Sequence, residues 1–202
     1  MKVRVVHVII GLETGGAEMI LFRLVSSHLN NPRYSHTVVS LSSVGKLGKK
    51  LRSQGIVVES LEMRSVLHIP ISLFRLLSIL IKEKPDIIQT WMYHADLFGG
   101  LAAKILGHKN IIWGIRNTDV FSRRGVSFFT SLIMRLCAAL SRIIPHTIVC
   151  VAHSAKNSHK KLGYDHRKMV VIHNGFDVNK FNLKIKHRSE LRKRFGIKAN
   201  SL

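Results

Sequence analysis

The sequence predicts an α/β fold: a doubly wound, mainly parallel sheet of about seven strands with helices on both faces. Three observations predict it. Short Val- and Ile-rich segments alternate with longer amphipathic ones along the whole chain. The short segments are apolar at consecutive positions, as strands buried on both faces are. Gly55, Gly107 and Gly163 fall just after helical segments, where a left-handed closing residue is expected.

In chain order, a basic-apolar strand over 3–10 runs into Gly11-Leu12-Glu13-Thr14-Gly15-Gly16-Ala17-Glu18. A helix over 16–30 follows, carrying Met19, Ile20, Phe22, Leu24 and Val25 at helical spacing. Backbone N–H groups at such a helix start, together with the helix dipole, suit an anion, most often a phosphate. An ordinary strand-to-helix turn explains the same residues equally well. Further strands are expected at 36–42, 56–62, 86–91, 110–115, 147–152 and 168–173. The intervening helices are expected at 46–54, 69–84, 95–107, 126–144 and 153–162. Pro85 stops the third of them before Asp86 opens a strand. After the last strand, Lys180 to Lys198 is basic and contains a short helix closed by Gly196.

The composition narrows the function classes. At 202 residues with 46% apolar residues, the chain is long enough for one well-buried domain. Cys137 and Cys150 sit in apolar runs without CxxC or Cys/His spacing, and read as reduced packing residues. Arg75, Arg135 and Arg142 interrupt the most apolar regions, so no spanning helix of about 20 residues is expected. No N-terminal stretch has the pattern of a secretory signal, and a cytoplasmic protein is expected. The twelve histidines show no HxH or HExxH spacing, so no metal site is expected.

The formal net charge of +21 grows toward the C-terminus. It favours a polyanionic partner such as an anionic lipid surface or phosphorylated small molecules, or reflects a proteome with generally basic surfaces. Nucleic acid is not expected, because no basic-aromatic module has a defined spacing. The segment 126–144 places Phe128, Leu132, Leu136, Leu140 and Ile143 on one face, with Phe129 and Ile133 beside them. Arg135 and Arg142 share another face, and Arg123 and Arg124 precede the helix. This is either a core helix with a solvated basic edge or an interfacial element resting on anionic lipid.

Ligands of open α/β sheets bind beyond the carboxyl ends of the strands. Those positions are rich in polar groups here: Thr14 to Glu18, Trp91-Met92-Tyr93-His94-Ala95-Asp96, Arg116-Asn117-Thr118-Asp119, His153-Ser154 and His173-Asn174-Gly175-Phe176-Asp177. In order and spacing they resemble the N-terminal half of family 4 retaining glycosyltransferases of the GT-B type. The stretches that carry the resemblance are Gly11 to Glu18, Trp91 to Lys104, Ile115 to Asp119 and Val171 to Asp177, followed by Phe181.

The resemblance implies two Rossmann-like domains facing each other across a cleft. Residues 1–180 would be the acceptor-side domain, and 181–202 a basic linker toward a C-terminal domain that binds the nucleotide-sugar. The Glu-x7-Glu motif of that second domain is absent from these 202 residues, so the chain reads as a half-enzyme, inactive alone. Gly15 and Gly16 would approach the donor diphosphate. His94, Arg116, Asn117 and Asp119 are the catalytic candidates; many family members have a histidine after the fifth strand, where this chain has the last three. Thr14, Glu18, Tyr93, Asp96, Ser154, Asn174, Gly175 and Asp177 would line the cleft.

The resemblance further implies a retaining hexosyl transfer by front-face departure, with a nucleotide-sugar as co-substrate and no metal required. The expected acceptor is a lipid-linked glycan or polysaccharide at the inner face of the cell membrane. Phe128, Phe129, Arg123, Arg124, Arg135 and Arg142 would contact that membrane. Another class of function stays open: a non-catalytic module binding anionic lipid or phosphorylated glycan. A dinucleotide-dependent oxidoreductase is disfavoured, since Gly11-x3-Gly15-Gly16 is not GxGxxG.

Overall fold

The computed structural model describes residues 2–118, 127–176 and 185–197. The first strand, β1 (Val3–Ile9), ends in five consecutive buried residues, as a strand covered on both faces must. It is followed by α1 (Gly16–Ser27), β2 (Tyr34–Ser40), α2 (Gly45–Ser53) and β3 (Val57–Ser60). A 3₁₀ turn at Val66–His68 leads into α3 (Ile69–Glu83). Then come β4 (Ile87–Trp91), α4 (Tyr93–Ile105), β5 (Ile111–Ile115), α5 (Phe128–Leu140), β6 (Thr147–Cys150), α6 (His153–Lys161), β7 (Met169–Val171) and α7 (Ile185–Arg194).

Every expected strand and helix is present among the described residues, with ends that differ by a few positions. The helix expected from residue 95 begins at Tyr93. The segment expected helical over 126–144 is helical over Phe128–Leu140, and Ile143 and Ile144 close it by donating to the Leu140 carbonyl. Cys137 and Cys150 are free and buried. No described helix is long and apolar enough to cross a membrane.

The sheet order is β3-β2-β1-β4-β5-β6-β7, and all neighbours are parallel. The chain winds outward from β1 to β3, returns across β1 to β4, and continues outward the other way. The order therefore reverses between β1 and β4, and the crevice for a ligand opens beyond their carboxyl ends. Ile9 pairs with Trp91 there, which sets the glycine-rich loop beside the start of α4.

Two cores flank the sheet. Leu21 and Val25 of α1 and Leu47 and Leu51 of α2 pack with Ile9, Val38 and Trp91. On the other face Leu76 and Leu80 of α3, Ala102 and Ala103 of α4 and Met134 and Cys137 of α5 pack with Val6, Val8, Ile88 and Trp113. α4 lies unusually close to the sheet because of paired glycines. A Cβ at Gly99 would stand 3.0 Å from Thr90 Cγ2 and 3.1 Å from Val8 Cγ1. One at Gly100 would stand 2.8 Å from Trp113 Nε1. Gly45 holds the glycine-rich loop in the same way: its φ is +62°, and a Cβ there would run into the Leu12 backbone, whose carbonyl accepts from Leu47 N–H at 2.8 Å.

Candidate active site at the carboxyl edge of the sheet

Arg116 is the best-organised charge on this edge. It leaves the end of β5 with its guanidinium carbon 4.6 Å from the centroid of the Trp91 ring. Its Nη1 donates to Asn174 Oδ1 at 2.9 Å. Residues at the ends of three different strands, β4, β5 and β7, thus meet at one point. Stacking on an indole and a fixed hydrogen bond hold the cation in one orientation, which suits recognition of an anionic oxygen. Partial burial pulls its pKa below the ordinary arginine value, and the nearby Asp96 opposes that shift.

Beneath it lies Asp96, fully buried in the first turn of α4. The Thr90 hydroxyl donates to its Oδ1 at 2.5 Å. Burial holds its carboxyl well above the usual carboxylate range, with Thr90, the Gly114 amide and Arg116 pulling the other way. The backbone above is strained: Met92, a non-glycine residue, has φ +71° and ψ 159°. Its N–H donates to the Gly114 carbonyl at 3.1 Å, and its own carbonyl accepts from Asp96 N–H at 2.8 Å. Strain of this kind persists only where its surroundings hold it, and it concentrates at functional sites.

The edge brings several of the expected residues together and separates others from it. Gly15 and Gly16 open α1. Gly15 is extended, at φ −149°, and no side chain caps the helix start. The Glu18 carboxylate folds over Gly15 in the space a Cβ would occupy, whereas Gly16 faces open space. Thr14 is exposed on the same loop. His94 is half-buried in the first turn of α4, and burial lowers its pKa. Asn117 follows Arg116 and is half-buried. Ser154 is exposed at the start of α6, while Asn174 and the exposed Gly175 lie in the exit from β7. Arg135 and Arg142 are exposed on and after α5. Asp119, Asp177, Arg123, Arg124 and Phe181 lie outside the described residues.

Two expectations need correction. Tyr93 does not line a cleft: it is 3% exposed, and its hydroxyl donates to His159 Nε2 at 2.9 Å. The other ring nitrogen of His159 meets the Ala155 carbonyl at 2.8 Å, which leaves Nε2 as the acceptor. Asp96 likewise supports the rim from below and has no exposed surface. The cause is common to both. The paired glycines draw α4 onto the sheet and carry its first turn into the interior.

Sequence reasoning missed Trp91 as the platform for Arg116. It also missed three histidines beneath that platform, His7, His36 and His28, linked ring to ring at 3.0 Å. The available signal was a histidine inside each of two apolar strands. Among the described residues no group of three His, Cys, Asp or Glu side chains stands close enough to hold a metal ion.

This parallel sheet, wound outward from β1 in both directions with a cation fixed at its carboxyl edge, is one half of the two-domain GT-B architecture. The chain belongs to Glycosyltransferase Family 4, whose family model matches residues 14–180. Anabaena Alr3699/HepE, solved in complex with UDP, matches with a TM-score of 0.76 and 19% identity, over 97% of this chain and 50% of that one. A glycosyltransferase from Rickettsia africae matches at 0.71 and 17%, over 98% and 51%. The UDP-GlcNAc 2-epimerase of Methanocaldococcus jannaschii matches at 0.61 and 17%, over 95% and 52%. The chain thus spans about half the length of these solved structures. At such identities they share the fold, which serves transferases and epimerases alike. No curated protein matches the chain.

Proposed function

We propose that this chain is the acceptor-side half of a retaining hexosyltransferase, moving a sugar from a nucleotide-sugar to a lipid-linked or polysaccharide acceptor. The observation that carries the reading is the junction of Arg116 with Trp91 and Asn174, a preorganised cation at the carboxyl edge of the sheet beside its switch point. Family membership supports the reaction class, and the UDP and UDP-glucose bound by Alr3699/HepE support a nucleotide-sugar donor.

In this reading negative charge builds on the departing nucleoside diphosphate. The start of α1 at Gly15 and Gly16 meets it with backbone N–H groups once the Glu18 carboxylate that folds over Gly15 has turned away. Arg116 stabilises an anionic oxygen of the donor or acceptor, with Asn117 and Asp119 as the further candidates for this role. His94, kept neutral by partial burial, faces the acceptor as a hydrogen-bond partner. Thr14, Glu18, Ser154, Gly175 and Asp177 line the approach. The acceptor hydroxyl attacks from the face the diphosphate leaves, which retains configuration. No bound metal is required in this scheme.

Residues 181–202 link to a donor-binding domain, and the 202-residue chain alone does not turn over. The enzyme works at the inner face of the cell membrane, where Phe128, Phe129, Arg123, Arg124, Arg135 and Arg142 of the α5 region meet lipid. The test has two arms. Saturation-transfer NMR of the chain with a polyprenyl-phosphate-linked sugar is expected to show binding that Arg116→Gln weakens. A radiolabelled UDP-glucose assay with the same acceptor is expected to show no transfer. Transfer by residues 1–202 alone overturns the half-enzyme reading, and absence of acceptor binding overturns the acceptor-side assignment.

A further inference from the structure

Arg116 takes its direction from what lies beneath it. Gly114 of β5 and Arg116 just beyond the strand are two residues apart, so they share a face of the extended chain. Gly114 also pairs with Trp91 across the ladder. A Cβ on Gly114 would stand 4.0 Å from Arg116 Nε, so the guanidinium lies back over this glycine and onto the Trp91 ring. Asn174 holds its outer end through Nη1. Nε, at the inner end, is buried and has no hydrogen-bond partner among the described residues. The indole plane therefore sets the inner end of the cation.

That plane is tied in turn to β1. The indole nitrogen of Trp91 donates to His7 Nδ1 at 3.3 Å. Trp113 is equally buried, yet its Nε1 has no hydrogen-bond partner among the described residues. The fold thus tolerates an unbonded indole at one tryptophan and places an acceptor at the other, the one that carries the cation. Packing alone asks for an aliphatic residue at position 7, inside a strand covered on both faces. A buried polar ring is costly unless its nitrogens are bonded, and both nitrogens of His7 are. Its ring stacks on His36 at 5.2 Å, His36 on His28 at 5.2 Å, and His28 on Tyr34 at 4.8 Å. The stack leaves the His7 imidazole one orientation.

We propose that His7 is a positioning residue for the anion site at Arg116: its bond to Trp91 fixes the ring plane on which the guanidinium lies. His36 and His28 hold His7 in place for that task. The role rests on the anion-binding reading of Arg116 given above and adds a residue one layer further in, which never touches substrate.

The experiment is NMR of the isotope-labelled 202-residue chain at neutral pH, titrated with inorganic pyrophosphate. Affinity is read at the Trp91 indole resonance, so that pyrophosphate held elsewhere on this basic chain is not counted. The Nε–H resonance of Arg116, shifted upfield by the ring current of Trp91, reports the stacking without any ligand. His7→Leu and His7→Phe remove the acceptor, and His7→Phe keeps a ring in the stack should His7→Leu fail to fold. His7→Asn places Oδ1 where Nδ1 stands and restores the acceptor. Circular dichroism checks the fold of each. The variants without an acceptor are expected to lose the upfield shift and to bind pyrophosphate about tenfold more weakly, with His7→Asn close to wild type. If they keep both the shift and the affinity, the positioning role is refuted. If His7→Asn loses both as His7→Phe does, packing and not the hydrogen bond matters, and the role is again refuted. Arg116→Gln separates the two levels. Affinity lost in Arg116→Gln but kept in the His7 variants refutes the positioning role alone. Affinity unchanged in Arg116→Gln refutes the anion site and the positioning role with it.

Discussion

The indole N–H of Trp91 donates to Nδ1 of His7 at 3.3 Å, and that bond orients three imidazoles. An indole nitrogen can only donate, so Nδ1 of His7 accepts and its proton sits on Nε2. That proton goes to Nδ1 of His36 at 3.0 Å, and Nε2–H of His36 goes to Nδ1 of His28 at 3.0 Å. The Trp91 ring, which carries Arg116 on its face, is thus held by a chain of three histidines running through β1 and β2 to the end of α1.

Acid should unfold the protein through this chain. Burial, with repulsion from the neighbouring imidazoles, lowers His7 to about 3; burial with repulsion from His28 and Lys2 lowers His36 to about 4. The unfolded chain binds these protons near pH 6.5, so stability is complete above that value and falls as pH drops toward 3. For His7 the loss is on the order of 5 kcal/mol below both values. Urea unfolding at stepped pH checks this, and a flat profile from pH 7 to 4 contradicts it. His7→Leu should flatten the acid limb but leave the Trp91 N–H unpaired, costing about 1–3 kcal/mol at pH 8.

Asp96 has the opposite sign. Its carboxyl is raised in the folded state, so its contribution to stability is full at acid pH and lost as pH rises through the folded value. Asp96→Asn removes the buried charge and keeps an acceptor for Thr90. The variant should lose the alkaline decline that wild type shows, as read from denaturation midpoints on either side of neutrality. An unchanged pH profile counts against a strained carboxyl at this position.

Gly99→Ala and Gly100→Ala should each cost about 1–3 kcal/mol by pushing α4 off the sheet. Their Cβ atoms meet Thr90 and Val8, or Trp113, at contact distances too short to keep. Gly16→Ala, whose Cβ meets open space, is the control and should leave stability within about 1 kcal/mol of wild type. Thermal unfolding separates the two classes.

Tyr93→Phe and Arg116→Gln should divide stability from binding. Tyr93→Phe leaves Nε2 of His159 without its donor and costs about 1–3 kcal/mol, with acceptor binding unchanged. Arg116→Gln keeps most of the stability and weakens binding of a phosphorylated acceptor about tenfold or more. Equal effects on both properties in both variants would remove the distinction between support and rim.

The amino-acid order alone determined the parallel sheet, its strand and helix succession and the loops that gather at one edge, because apolar period and glycine placement are local properties. It also carried the family, through motifs that are each contiguous in the chain. Which polar residues reach that edge was decided by tertiary packing. Tyr93 and Asp96 follow a strand end as His94 does, yet two glycines further along α4 draw its first turn inward and bury both. Trp91 and Asn174, 83 positions apart, meet through Arg116 only because β4, β5 and β7 end along one edge. A residue's sequence context fixes its backbone direction, whereas its exposure depends on how closely a distant helix can approach.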